Sequence, residues 1–79
     1  MKACILFFGA TADIAATRKI DVEVEESASS RTVFKQLIDK YPDLAKHRLH
    51  YSINQQYATG DEIIRDGDEI AIFTAVSGG

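Results

Sequence analysis

The chain has 79 residues, of which 46% are hydrophobic, and a formal net charge of −3. This length fits a single small domain with one modest core. The nine lysines and arginines are scattered along the chain, which argues against nucleic acid as a partner. The single cysteine excludes an internal disulfide and fits a reducing, cytoplasmic compartment. No apolar run approaches the roughly 20 residues of a membrane span and no signal-peptide pattern is present, so we expect no membrane partner.

Two strands are predicted near the start of the chain. Residues 3–8 form an apolar run that is typical of a strand inside a sheet. By alternation, Leu6 and Phe8 share the outward face with Lys2, and the intervening side chains face the core. Residues 19–25 alternate between aliphatic and charged side chains, which predicts a half-buried strand. The alanine-rich residues 11–16 between them predict a short helical turn.

The main helix is predicted over residues 32–41. Its apolar side chains recur at helical spacing and form a stripe that faces the core. Ser30 is the predicted N-cap. Pro42 disfavours helical geometry at the preceding residue, so the helix should end near Tyr41.

The second half of the chain predicts short strands. Residues 49–54 alternate as a strand, and residues 56–58 form a short returning strand. Residues 61–64 are expected to form a short helical turn. Asp66-Gly67-Asp68 is a turn signal, and the final strand follows over residues 69–73, with Ala71 and Phe73 on its outer face.

No metal site is predicted from the two histidines. His47 and His50 are close in sequence, but no third ligand follows at matching spacing. The acidic residues of the second strand are expected to form a solvated face.

The order of elements is strand, strand, helix, strand, short strand and final strand. One main helix packed on one face of a mixed sheet gives an α+β fold, for which a ubiquitin-like β-grasp is the best match. In that topology the first and last strands are neighbours, and a flexible C-terminal Gly-Gly tail leaves the last strand. We therefore divide the chain into a domain over residues 1–73 and a tail over residues 74–79.

The outer face of the predicted sheet is unusually apolar. Leu6, Phe8, Ala71 and Phe73 fall on this face of adjacent strands, and Tyr57 is expected to join them. A contiguous apolar patch marks a contact surface, and aromatic side chains are enriched in the anchors of interfaces. The alternative is that the connection over residues 9–17 folds across this face and buries it.

The C-terminal tail is predicted to be the functional segment, and the rest of the chain is predicted to be the domain that presents it. It has no charged side chain, and its residues are Thr74, Ala75, Val76, Ser77, Gly78 and Gly79. Glycine lacks a Cβ atom, so the last two residues allow the backbone to enter a narrow slot. A narrow peptide that ends in a carboxylate suits delivery of that carboxylate to the active site of another protein. The alternative is an incidental chain end, since chain ends are often small and polar.

Four segments of the chain form a recognisable pattern: ILFFG over residues 5–9, IDVEV over 20–24, DGDEIAIF over 66–73 and VSGG over 76–79. In these segments the chain resembles the small subunit of molybdopterin synthase, the MoaD type. The ThiS-type sulfur carrier of thiazole synthesis is similar at the C-terminus but typically shorter, and it joins its first two strands by a tight turn. The chain departs from the MoaD pattern at Thr74-Ala75, where the family often has Pro-Pro, and at Ala12-Asp13, where it often has Arg-Glu.

The resemblance implies a sulfur carrier in molybdenum cofactor biosynthesis. A MoeB-type adenylyltransferase would use MgATP to adenylate the Gly79 carboxylate, and sulfur would then convert it to a thiocarboxylate. A MoaE-type large subunit, in a heterotetramer of two small and two large subunits, would take up the tail and supply the catalytic residues. Gly78 would allow threading, residues 74–77 would line the partner's channel, and Phe8, Tyr57 and Phe73 would contact the large subunit. No bound cofactor or metal is implied, and the chain would not be an enzyme by itself.

Three other functions remain open on the sequence. They are a sulfur carrier for thiamine or cysteine synthesis, a ubiquitin-like modifier joined to lysines through Gly79, and a binding module with an incidental Gly-Gly.

Overall fold

The computed structural model describes residues 1–74 of the chain. Five strands form one mixed sheet in the order β2-β1-β5-β3-β4. The elements are β1 (Lys2–Phe7), α1 (Ala10–Ala15), β2 (Lys19–Glu23), α2 (Ser30–Lys40), a 3₁₀ helix (Pro42–Lys46), β3 (Leu49–Ile53), β4 (Gln56–Tyr57) and β5 (Glu69–Thr74). Strands β1 and β5 are parallel neighbours, and the other pairs are antiparallel. The predicted α+β arrangement and the adjacency of the first and last strands are confirmed.

The core forms where α2 packs on the inner face of the sheet. Alternation along β1 and β5 sends every second side chain inward, as predicted. The side chains of Ile5, Ile72 and Val33 are fully buried. The remaining buried hydrophobic side chains are those of Ala3, Phe7, Ala15, Val24, Leu37, Leu44, Ile64 and Ile70. Burying each large aliphatic side chain stabilises the fold by about 1.5–3 kcal/mol.

The N-cap of α2 is one residue earlier than predicted. Ser29 has an extended backbone conformation, and its Oγ accepts a hydrogen bond from the backbone N–H of Thr32 at 3.3 Å. Ser30 is instead buried, and its hydroxyl donates to Oε1 of Glu62 at 2.8 Å. Both serines suit a cap, so the tertiary partner of Ser30 decides between them. The helix ends before Pro42, as predicted.

The predicted helical turn over residues 61–64 is wrong, because this segment is extended. Ile63 forms an antiparallel bridge with Ser29. The backbone N–H of Ser30 donates to the carbonyl of Glu62 at 2.7 Å, and that of Ile64 donates to the carbonyl of Ala28 at 2.9 Å. These long-range hydrogen bonds satisfy the backbone groups that a helical turn would pair locally.

Helix α1 confirms the short helical turn predicted after β1 and does not cover the outer face of the sheet. Thr11 and Ala15 are buried, and the helix contacts β1, β5 and the 3₁₀ helix. Phe8 is 51% exposed and Tyr57 is 75% exposed. The alternative in which residues 9–17 bury the outer face is therefore excluded.

Strand β5 includes Thr74, which the sequence assigned to the tail. Thr74 is paired with Leu49 of β3, so the sheet continues one residue beyond the predicted end of the domain. Residues 75–79 lie outside the described part of the chain. Between residues 1 and 74, no helix is both long and apolar enough to cross a membrane.

Candidate functional site

The apolar outer face lies where β1 and β5 run side by side. Leu6 is the register partner of Ala71 in this parallel pair. The backbone N–H of Phe8 donates to the carbonyl of Ile72 at 3.1 Å, which holds Phe8 beside the end of β5. Leu6 and Ala71 are half-buried, whereas Phe8 is exposed. The structure thus brings these predicted residues together.

An aromatic group continues this face across β3 and β4. Phe73 is the register partner of His50, and the centroids of their rings are 6.0 Å apart. The ring centroid of Tyr57 lies 6.0 Å from that of Phe73 and 6.3 Å from that of His50. These separations fall in the range at which aromatic rings attract one another. We call the set Leu6, Phe8, His50, Tyr57, Ala71 and Phe73 the outer patch.

His50 is the member of the outer patch that sequence reasoning missed. At the level of the sequence it was considered only as a metal ligand and was assigned to no face of the sheet. The structure shows that His50 is the register partner of Phe73, which places its ring in the outer patch. In the described residues, no three His, Cys, Asp or Glu side chains come together to hold a metal ion.

The hydroxyl of Thr11 fixes the ends of β1 and β5 beneath the outer patch. Its Oγ1 accepts a hydrogen bond from the backbone N–H of Phe8 at 2.9 Å. The same oxygen lies 2.7 Å from the carbonyl oxygen of Phe8 and 2.9 Å from that of Ile72, so its proton is shared between these acceptors. Because Thr11 is fully buried, these bonds are shielded from competing water. They tie α1 to the strand that leads into the tail.

The tail begins at the edge of this face. Thr74 ends β5, next to Phe73. The predicted threading residues Ala75, Val76, Ser77 and Gly78 and the predicted carrier Gly79 lie outside the described residues, and their roles remain predictions. What the described part shows is an apolar surface beside the end of β5.

A carboxylate with a shifted pKa belongs to Glu62, which is not a member of the outer patch. The backbone N–H of Thr59 and the hydroxyl of Ser30 donate to Glu62, and with the N–H of Gly60 they lower the pKa of its carboxyl to about 2. These partners connect residues 59–62 to the start of α2. Glu62 therefore has a structural role in the loop, and its ionised form serves as a hydrogen-bond acceptor.

A family model described as the ThiS family matches residues 5–79. The chain belongs to the ThiS family. It is similar to the molybdopterin synthase sulfur carrier subunit of Mycobacterium tuberculosis, with 34% identity over 82 residues that cover 100% of this chain and 99% of that protein. It is also similar to the human molybdopterin synthase sulfur carrier subunit, with 28% identity over 95% of this chain and 91% of that protein.

Solved structures in this comparison confirm the ubiquitin-like β-grasp prediction for this ThiS family member. SAMP1 from Haloferax volcanii superposes with a TM-score of 0.88 at 25% identity, over 100% of both chains. A putative molybdopterin converting factor subunit 1 from Pyrococcus furiosus gives a TM-score of 0.89 at 19% identity, over 96% of this chain and 99% of the other. The second likeness supports the fold alone.

Proposed function

We propose that this ThiS family protein is the sulfur carrier subunit of a molybdopterin synthase. The observation that carries the proposal is the full-length similarity to the M. tuberculosis sulfur carrier subunit. The α1 insertion between the first two strands agrees with it, because the resemblance to the MoaD type rests partly on this connection.

The proposed chemistry uses the carboxylate of Gly79. A carboxylate is a poor electrophile, so a MoeB-type adenylyltransferase first uses MgATP to form an acyl-adenylate and releases pyrophosphate. The terminal sulfur of a persulfide donor then displaces AMP and forms an acyl disulfide, and a thiol reductant cleaves its S–S bond, which releases the thiocarboxylate. The thiocarboxylate sulfur attacks cyclic pyranopterin monophosphate (precursor Z), and two such deliveries build the dithiolene. The chain carries the reacting atom, and its partners supply the catalytic groups.

The outer patch gives the proposed MoaE-type large subunit a surface to grip beside the tail. Phe8 and Tyr57 present exposed aromatic area, and Phe73 links them to the last strand. Gly78 and residues 75–77 thread into the large subunit, Thr74 stays in β5 at the root of the tail, and Leu6 and Ala71 complete the contact. The assembly is a heterotetramer of two small and two large subunits in the cytoplasm.

Deletion of Gly79 tests the carrier role directly. The full chain and the deleted chain are each incubated with a MoeB-type enzyme, MgATP and a sulfur donor, and their intact masses are measured. We expect one oxygen to be replaced by sulfur in the full chain only, and molybdopterin to form only from the full chain after the large subunit and precursor are added.

The control is the thermal unfolding of both chains, which we expect to coincide because the described core lies within residues 1–74. A normal yield of molybdopterin from the deleted chain would contradict the carrier role.

A protein modifier is the second candidate function. It is favoured by the whole-chain likeness to SAMP1, since a relative of that name from Methanosarcina acetivorans is described as a small archaeal modifier protein. Recovery of this chain from its native cells in covalent conjugates through Gly79 would favour the modifier. Recovery as a free thiocarboxylate would favour a sulfur carrier.

A further inference from the structure

The outer face of the sheet is divided by charge along the direction of β1. Antiparallel register partners share a face, so Lys19 lies beside Leu6 on the outer face, and Asp21 lies beside Cys4. Further from the tail, Glu23 lies beside Lys2. The half of the face near the tail is therefore apolar with a cationic edge, and the half away from the tail carries carboxylates.

The cationic edge lines an open groove next to the outer patch. The groove has a volume of about 630 Å³ and is bordered by Leu6 and Phe8, by Arg18 and Lys19, and by Asp13. The backbone carbonyl of Arg18 accepts a hydrogen bond from Phe7 at 2.9 Å, which holds this edge against the end of β1. Within residues 1–74, neither cation takes part in a salt bridge.

A third cation lies on the other side of the tail's root. Arg48 immediately precedes β3, whose first residue, Leu49, is paired with Thr74. Arg48 is exposed and has no salt bridge within the described residues, whereas nearby Lys46 is paired with Asp43 at 3.2 Å. The root of the tail is thus flanked by Arg18 and Lys19 on one side and by Arg48 on the other. We call these three residues the cationic frame.

We propose that the cationic frame docks on an acidic rim around the tail-binding channel of the synthase large subunit. The inference rests on the proposed function and adds to it the chemistry of the partner surface. On the large subunit, an apolar centre would face the outer patch, and carboxylates around it would face Lys19 and Arg48. Such a surface complements both the shape and the charge of this end of the molecule. Because the far half of the face is acidic, such a rim also selects the orientation in which the tail meets the channel.

Charge reversal tests the cationic frame. The full chain and the variants Lys19→Glu and Arg48→Glu are titrated calorimetrically into the purified large subunit at low and high salt. The matched control is Lys35→Glu, because Lys35 is exposed on α2, on the other side of the sheet, and gives the same net charge. We expect each frame variant to weaken binding by about fivefold to tenfold at low salt, with a reduced dependence on salt, and the control to stay within about twofold.

The outcomes separate this inference from the proposed function. If the full chain binds and the frame variants bind equally well, the cationic frame is not a docking element and the inference is overturned, while the carrier role stands. Equal weakening by Lys35→Glu would show an effect of net charge alone and would also overturn it. A full chain that does not bind the large subunit would overturn both. Thermal unfolding of each variant confirms that the exposed substitutions leave the fold intact.

Discussion

Phe73 connects the outer patch to the tail at the scale of a single residue. Its ring forms a triangle with those of His50 and Tyr57, both of whose centroids are 6.0 Å from its own, and Thr74 follows it directly. Large aromatic side chains at the centre of an interface carry a disproportionate share of the binding energy. Among the residues of the outer patch, we therefore expect truncation of Phe73 to weaken binding to the large subunit most.

We predict that Phe73→Ala weakens binding to the large subunit by about tenfold or more, because it removes the ring that packs against both neighbours. Calorimetric titration measures the change. Ile38→Ala is the matched control, since Ile38 is half-buried, as Phe73 is, but lies on α2, on the other side of the sheet. Unchanged affinity for Phe73→Ala would remove the outer patch from the proposed interface.

At the scale of elements, α1 positions the ends of two strands. The helix has only six residues and is too short to be stable alone. Its stability comes from the burial of Thr11 and Ala15. In turn, the hydroxyl of Thr11 forms hydrogen bonds with the backbone of Phe8 and Ile72 and so holds the ends of β1 and β5. The connection that distinguishes the MoaD type thus supports the face from which the tail departs.

We predict that Thr11→Val lowers the free energy of unfolding by about 1–2 kcal/mol. The lower part of the range for a buried hydrogen bond applies, because the N–H of Phe8 still donates to the carbonyl of Ile72. Thr11→Ser keeps the hydroxyl and should retain the amide protection of Phe8 against hydrogen exchange, whereas Thr11→Val should lower this protection, because one of the two acceptors of the Phe8 N–H is removed. Equal protection in the two variants would contradict a positioning role for the hydroxyl.

At the scale of the whole molecule, long-range hydrogen bonds hold the second half of the chain to the start of α2. Glu62 accepts a long-range hydrogen bond from the hydroxyl of Ser30 and local ones from the backbone N–H groups of Thr59 and Gly60. These donors favour the ionised carboxylate, so its pKa in the folded chain lies below the ordinary value. The unfolded chain therefore binds the proton more tightly, and acid favours unfolding through this group.

We predict that this contribution of Glu62 to stability is fully present above pH 4.5 and is lost as the pH falls from 4.5 to about 2. In Glu62→Gln, the free energy of unfolding, measured with urea across this range, should fall less steeply with acid than in the unchanged chain. Glu26→Gln is the control, because Glu26 is exposed. Parallel curves for Glu62→Gln and the unchanged chain would contradict the prediction.

The charge of the whole molecule is also arranged along the sheet. Strands β1 and β5 run parallel towards the tail, with Asp66, Asp68 and Glu69 at the start of β5 and the cationic frame near its end. The net charge of −3 does not show this separation, because it adds the charges at the two ends of the sheet together. Such a separation orients a protein as it approaches a charged partner.

The sequence by itself determined the strands, the main helix, the α+β class and the inward and outward faces. These features depend on the period of apolar residues along each element, which any single segment displays. The outward placement of Leu6, Phe8, Ala71 and Phe73 followed from alternation alone. Lys19 and His50 were not assigned to this face, and nothing in the sequence linked them to the patch.

Only the tertiary structure decided which groups meet across distant segments. Ser29 rather than Ser30 caps α2, because Glu62 takes the hydroxyl of Ser30. The same pairing keeps residues 61–64 extended where local propensity favoured a turn of helix. Helix α1 contacts the ends of β1 and β5 and leaves the outer face open. Each outcome depends on contacts between residues far apart in the chain, and local periodicity carries no information about such contacts.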